Sequence, residues 1–355
     1  MLDKNRYATT TPDRAVWIDD PGEFMASVPA ILGFVPHRSL VVALLGLEPN
    51  RRIAAINAVI RSDLHDPQDM ADAVATAAAT NSADAVLVFV IDDRQPPLHP
   101  YDAVVIAVHD RLAESGIEVK GAWTVHRIAA GQRWHSLRPP HRAGRLPDPS
   151  TTVTAVDRVY RGGSVAPDRR TLKDLFTPLP ALGKQISEHL PDAETRLHQG
   201  DAGARTRLRI RTMLHNVATA NASGKPGPRA LAEIAVAWRD TPVRDAALAL
   251  AGTVHSNAAE QVALTLTRTQ TGQDRARAAA VLAFLTYHRG EGTLAGMALE
   301  AALTADPYNS LAALLRTALD CALPADQLHF LAQHARDALA TAGVEISPVA
   351  LPDLL

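Results

Sequence analysis

Cysteine occurs once in the 355 residues, at Cys321, so neither a disulfide nor a cysteine-based zinc site can form within one chain. Lysine is nearly missing too: there are 5 lysines against 31 arginines, and with 64 alanines this is the bias a GC-rich genome favours. Arginine abundance alone is therefore weak evidence for phosphate binding. Neither sign of charge dominates, with 36 Lys plus Arg against 38 Asp plus Glu. No overall field draws the chain to nucleic acid or anionic lipid, and such a partner needs a local patch. The longest apolar runs, 40–47 and 85–91, fall far short of the roughly 18–20 residues of a membrane span. The first residues, Met-Leu-Asp-Lys-Asn-Arg-Tyr, lack the apolar core of a secretory signal. These absences predict a soluble, cytoplasmic protein with no membrane partner. Nucleophile elbow, phosphate loop, His-Glu-x-x-His and Cys-x-x-Cys are all lacking, so no catalytic residue is named. Gly224-Lys-Pro-Gly-Pro imitates a phosphate loop, but its prolines remove the backbone donors such a cradle needs. Cys321 reads as a small buried hydrophobe, and His215, His255 and His288 as surface or capped histidines.

What is present is ample apolar material, 47% against 21% charged residues, enough for two domains. Residues 1–20 are polar and Thr-rich and read as a flexible arm. A short helix is expected from Glu23 to Gly33, bent by Pro29. Strands follow at 39–47 and 53–61 with a turn between them, predicting an antiparallel hairpin. Asp66-Pro67 caps a helix to about Ala79; 85–91 reads as a buried strand, 100–115 as a helix, and 117–126 as a strand followed by a turn at Gly131-Gln132. This order predicts a mixed sheet with flanking helices over 21–165, the strands joined by helices running parallel. From Leu137 to Arg170 the pattern dissolves into a basic linker with one strand at 151–160. Residues 170–345 carry helical periodicity broken at 224–228, 240–242, 255–257, 272, 290–292, 306–307 and 324. The expected class is α+β followed by an all-α, repeat-like domain. One stretch, with Leu282, Ala295, Leu299, Ala302 and Pro307, fits a tetratricopeptide-like register that the next does not repeat.

Several runs carry a resemblance. Pro21-Gly-Glu-Phe-Met-Ala-Ser-Val-Pro-Ala-Ile-Leu-Gly-Phe-Val-Pro-His-Arg-Ser-Leu-Val-Val, Arg61-Ser-Asp63, Val90-Ile-Asp-Asp93, Thr241-Pro-Val-Arg-Asp-Ala-Ala-Leu248 and Leu285-Thr-Tyr-His-Arg-Gly-Glu-Gly292 resemble the domain-of-unknown-function family numbered 4192. The likeness runs from about 19 to 330 and implies a bacterial protein and an architecture, but no activity. Family members often have a cysteine-containing stretch after an Arg-Trp-Trp segment; here the place reads Arg133-Trp-His-Ser-Leu-Arg-Pro-Pro-His, with no cysteine. Whatever those thiols do elsewhere, this chain does without them.

Two candidate sites remain. In open α/β sheets ligands sit beyond the carboxyl ends of parallel strands. The ends Arg61-Ser-Asp63-Leu-His65 and Asp92-Asp93, with the hairpin's entry Arg38-Ser39, should then share one rim. Arg38 and Arg61 could take a phosphorylated ligand, and the rim's carboxylates, up to four with Asp63, Asp66, Asp92 and Asp93, a divalent cation. The same residues also read as caps and solvated loops, as Asp66 does; no particular cofactor follows. The basic stretch from Arg127 to Arg170, with Arg133, Arg138, Arg142 and Arg145, is the nucleic-acid candidate, with Trp134 and Tyr160 available for stacking. Arg205, Arg207, Arg209 and Arg211 scatter around a helix. Together the observations favour a non-catalytic binding or regulatory module with a protein partner. The alternatives are a nucleotide- or phosphate-binding protein or enzyme at the rim, and nucleic-acid binding through the linker.

Overall fold

The computed structural model describes residues 6–9, 16–18, 20–47, 53–94, 97, 100–160, 162–224, 226–321, 323 and 325–341. They form two compact units, Met1–Thr171 with Asp320–Pro324 and Leu172–Leu319 with Ala325–Leu355.

The first unit is built on strands β1 (Arg6–Thr9), β2 (Val16–Ile18), β3 (Ser39–Leu47), β4 (Ile53–Asp63), β5 (Ala85–Ile91), β6 (Glu118–Val125), β7 (Arg133–Ser136) and β8 (Ala143–Arg145). They join in one mixed sheet, in the order β2-β1-β4-β3-β5-β6-β7-β8. The expected hairpin β3–β4 is present; its turn, 48–52, lies outside the described residues. Because β3 runs antiparallel to both β4 and β5, those two strands point the same way, and β6 is parallel to β5. Helices α1 (Pro21–Leu32), α2 (Pro67–Thr80) and α3 (Tyr101–Ala113) flank this sheet.

Local signals explain the boundaries. The Asp20 carboxylate accepts from the Gly22 and Glu23 amides, so α1 begins two residues before Glu23; it carries Pro29 within it and ends at left-handed Gly33, φ 83°. Asp66 caps α2 in the same way. β5 is buried along its whole length, as its unbroken apolar run requires. One face of the sheet, with Leu40, Val42, Leu44, Val86, Val88 and Val90, packs on α2 and α3. On the other, Phe24 of α1 stacks on Phe89 at 4.8 Å, and Phe89 on Trp123 at 5.2 Å.

Two expectations are corrected here. The segment read as an arm, 1–20, holds β1 and β2, because the free edge of β4 offers β1 a parallel partner. The segment read as a linker strand at 151–160 is a helix, α4 (Val153–Tyr160). The Thr152 hydroxyl accepts from the Ala155 amide as its cap, and Val153, Val156 and Val159 recur every third residue, a helical period filled with β-branched side chains. The linker is moreover tied in, since Val35 donates to the Ala166 carbonyl at 3.0 Å and Ala166 to that of Gly33 at 2.8 Å. A short helix, α5 (Arg169–Asp174), follows.

The second unit is helical: α6 (Pro180–Leu197), α7 (Ala202–Ser223), α8 (Pro228–Ala237), α9 (Thr241–Ala246), α10 (Ser256–Thr269), α11 (Gly272–His288), α12 (Gly292–Ala305), α13 (Ser310–Asp320) and α14 (His329–Thr341). The breaks expected from 224 to 307 fall between these helices or in their first residues, as Thr241-Pro242 opens α9, Ser256-Asn257 opens α10 and Gly272 opens α11; Pro324 lies outside the described residues. No helix among the described residues is long and apolar enough to cross a membrane. Cys321, just past α13, is exposed, not buried: the chain has already left the helix whose apolar spacing suggested burial.

Two titratable groups of this unit sit in unusual surroundings. Glu260 of α10 is buried 3.0 Å from the Arg289 guanidinium, and burial outweighs that attraction, so with Glu291 nearby its carboxyl is pushed up to about 7. His288 at the end of α11 is not a surface histidine. Its ring lies 4.3 Å from that of His329, and burial, aided by the charges of His329 and Arg336, pushes it down to about 4.

Candidate functional site

The register sets the rim. Ser39 at the start of β3 pairs with Asp63 at the end of β4 and with Ile91 at the end of β5, so all three stand at one edge of the sheet. Arg38 enters this edge in a left-handed conformation, φ 49°, which a non-glycine residue adopts only under local constraint. Its Nε donates to Asp93 Oδ1 at 2.7 Å, and that bond holds the Asp93 carboxyl below the ordinary carboxylate range. Arg61 donates from Nε to Ser39 Oγ at 2.8 Å and from Nη2 to Asp63, while its guanidinium lies 5.9 Å from the centre of the Phe34 ring. Ser39, fully buried, donates in turn to the His37 carbonyl at 2.7 Å. His65 turns its Nδ1 to the Asp63 carbonyl at 2.6 Å.

Asp92 is the buried member. Its side chain accepts three bonds from Arg94, two from the guanidinium, Nε to Oδ1 at 2.7 Å and Nη2 to Oδ2 at 3.1 Å, and one from the backbone N–H to Oδ1 at 3.2 Å. Beside this fork is a cleft with room for about one water molecule, lined by Leu64, His65, Met70, Asp92, Arg94, Tyr101 and Val104. Burial, with the Asp92 charge, raises the Tyr101 phenol above its ordinary range.

Arg38, Ser39, Arg61, Asp63, His65, Asp92 and Asp93 thus do meet at one edge, but as three separate arginine–carboxylate pairs. Among the described residues no three acidic, histidine or cysteine side chains converge as metal ligands. The divalent-cation arrangement is therefore not formed: each carboxylate faces a guanidinium. Arg94 and Tyr101 were missed in the sequence; the signal for Arg94 was its place two residues beyond Asp92 at a strand end. Arg94→Ala should leave the Asp92 carboxylate buried without its cation and cost about 2–3 kcal/mol. Urea unfolding measures this, and an unchanged midpoint would show that Asp92 is held by other means.

The nucleic-acid candidates divide. Arg133, Arg142 and Arg145 are exposed and Arg138 is half-buried, but Trp134 is buried and cannot stack on a base. Along β7 Arg133 and His135 point to one face and Trp134 to the other. The Trp134 indole packs between Gly22 and Gly144, where an added Cβ would come within 2.5 Å and 2.7 Å of the ring.

A mixed-sheet unit with an ion-paired rim and a unit whose described elements are helices define the class as α+β. The model of the family described as "Domain of unknown function (DUF4192)" matches residues 21–326, and the chain belongs to that family. Neither the curated proteins nor the solved structures yield a match.

Proposed function

We propose that this protein is a non-catalytic binding module that engages a protein partner through α4. The observation that carries the reading is the direction in which this helix faces. Its inner side, with buried Ala155 and with Arg158 donating to the carbonyls of Ala30 and Ser164, each at 2.8 Å, packs toward α1. Its apolar side is turned outward: Val153, Val156, Val159 and Tyr160 are 58%, 59%, 69% and 49% exposed. A helix normally buries its apolar stripe, and one that presents it to solvent offers the face that protein grooves accept. The helices α10, α11 and α12, packed in succession, suit the same role as a scaffold. The rim supports a ligand-binding reading less well, because a phosphate there would have to displace a carboxylate from Arg38 or Arg61.

The double variant Val156→Asp/Val159→Asp tests the reading, since both positions are exposed and the fold should tolerate the change. Quantitative affinity capture from the native cell should recover a stoichiometric partner with the parent chain and lose it at least tenfold with the variant. Equal recovery by both, at matched thermal stability, would overturn it.

A further inference from the structure

The stretch from β6 to the end of β8 is unlike the rest of a chain that is close to neutral. Between Glu118 and Asp148 there is no carboxylate at all, while the same residues carry Arg127, Arg133, Arg138, Arg142 and Arg145, along with Lys120 and three histidines. Lys120 is taken up by Glu118, but among the described residues none of the five arginines pairs with a carboxylate. This sets them apart from Arg38, Arg61 and Arg94 at the rim, each of which does.

The strands place these cations together. Arg133 of β7 stands directly opposite Arg145 of β8, and His135 opposite Ala143, so the two arginines project from one face of the sheet, about 5 Å apart at the backbone. Arg127 lies in the β6–β7 connection at that end, where Arg145 also donates to the Gly131 carbonyl at 2.8 Å. Arg138 and Arg142 lie in the β7–β8 connection at the other end. The result is an arginine pair on one face of β7–β8, with three further arginines in the connections at its two ends.

We propose that this β7–β8 face is a binding site for the phosphodiester backbone of nucleic acid. Arginine forks suit phosphate oxygens, which accept two parallel bonds. Nucleic acid is favoured over a lipid surface because this stretch lacks the apolar face that inserts among acyl chains. Trp134, turned beneath the sheet, leaves no aromatic platform among these residues, so contact is to the backbone and does not depend on base sequence.

Fluorescence anisotropy with labelled single-stranded RNA and duplex DNA of scrambled sequence, titrated at 50, 100 and 200 mM salt, tests this. With all five arginines engaged, log affinity should fall against log salt with a slope of about −3.5 for single strands and about −4.5 for duplex. Arg133→Ala/Arg145→Ala and Arg138→Ala/Arg142→Ala should each flatten the duplex slope by about 2 and weaken binding several-fold at low salt. Arg205→Ala/Arg207→Ala, on α7, should bind as the parent does. All six side chains are at least partly exposed, so the variants should melt with the parent. Absence of binding at 50 mM salt, binding that survives both strand variants, or tighter binding to phosphatidylserine vesicles than to either nucleic acid would each overturn the proposal.

Discussion

Phe89→Ala should destabilise the sheet unit by about 3–5 kcal/mol, the usual consequence of emptying a large aromatic site that cannot collapse. Phe89 is fully buried within β5, and the rings of Phe24 and Trp123 both stack on it. Removing it takes away two ring contacts as well as apolar burial. Tryptophan fluorescence in urea is a suitable readout, because Trp17, Trp123 and Trp134 belong to this unit and only Trp238 to the helical one. Phe330→Ala, at a position 63% exposed, should change stability by less than about 0.5 kcal/mol. A loss below about 1 kcal/mol for Phe89→Ala would mean the stack is much looser than its distances imply.

The second large effect is hidden in the parent protein. The Glu260 carboxyl moves from an ordinary 4.5 to about 7, so the folded state takes up its proton more readily than the unfolded chain does. Its contribution is fully present below pH 4.5 and is lost as pH rises through 7. His288 moves the other way, from 6.5 to about 4, so its contribution is present above pH 6.5 and is lost as pH falls through 4. Each is of the order of 3 kcal/mol, and between pH 4.5 and 6.5 they oppose one another. The parent should therefore show a nearly flat contribution from this pair of groups. Glu260→Gln should expose the histidine term and make the helical unit lose stability on going from pH 7.5 to 5. His288→Gln should expose the carboxylate term and make it gain stability over the same interval. Thermal unfolding of the two variants at both pH values decides the matter; shifts of the same sign in both would refute the opposed-titration account.

The parts of the fold that sequence revealed were those where local chemistry and tertiary packing agree. Asp66-Pro67 and the unbroken apolar run of β5 each have one reading. The opposite case is α4, expected as a strand, where valines at helical spacing face solvent; β-branched side chains favour strands, and period alone does not tell which way a face turns. β1 and β2 are short segments whose strand character depends on pairing with a distant edge, which no local pattern announces. The rim's convergence followed from strand directions. Which arginine would take which carboxylate did not, since that depends on side-chain reach. For Trp134 the signal was available: alternation along Arg133-Trp134-His135 already separates the indole from the arginines.

The position of Cys321 has a practical consequence. Each copy of the chain presents one thiol, open to reagent at a turn beyond α13. A maleimide fluorophore or spin label would attach at that address alone, one per molecule, with no cysteine to be engineered in or out. Under oxidising handling the only disulfide available joins two chains, so a reductant-sensitive band at twice the chain mass would report a storage artefact and not an assembly.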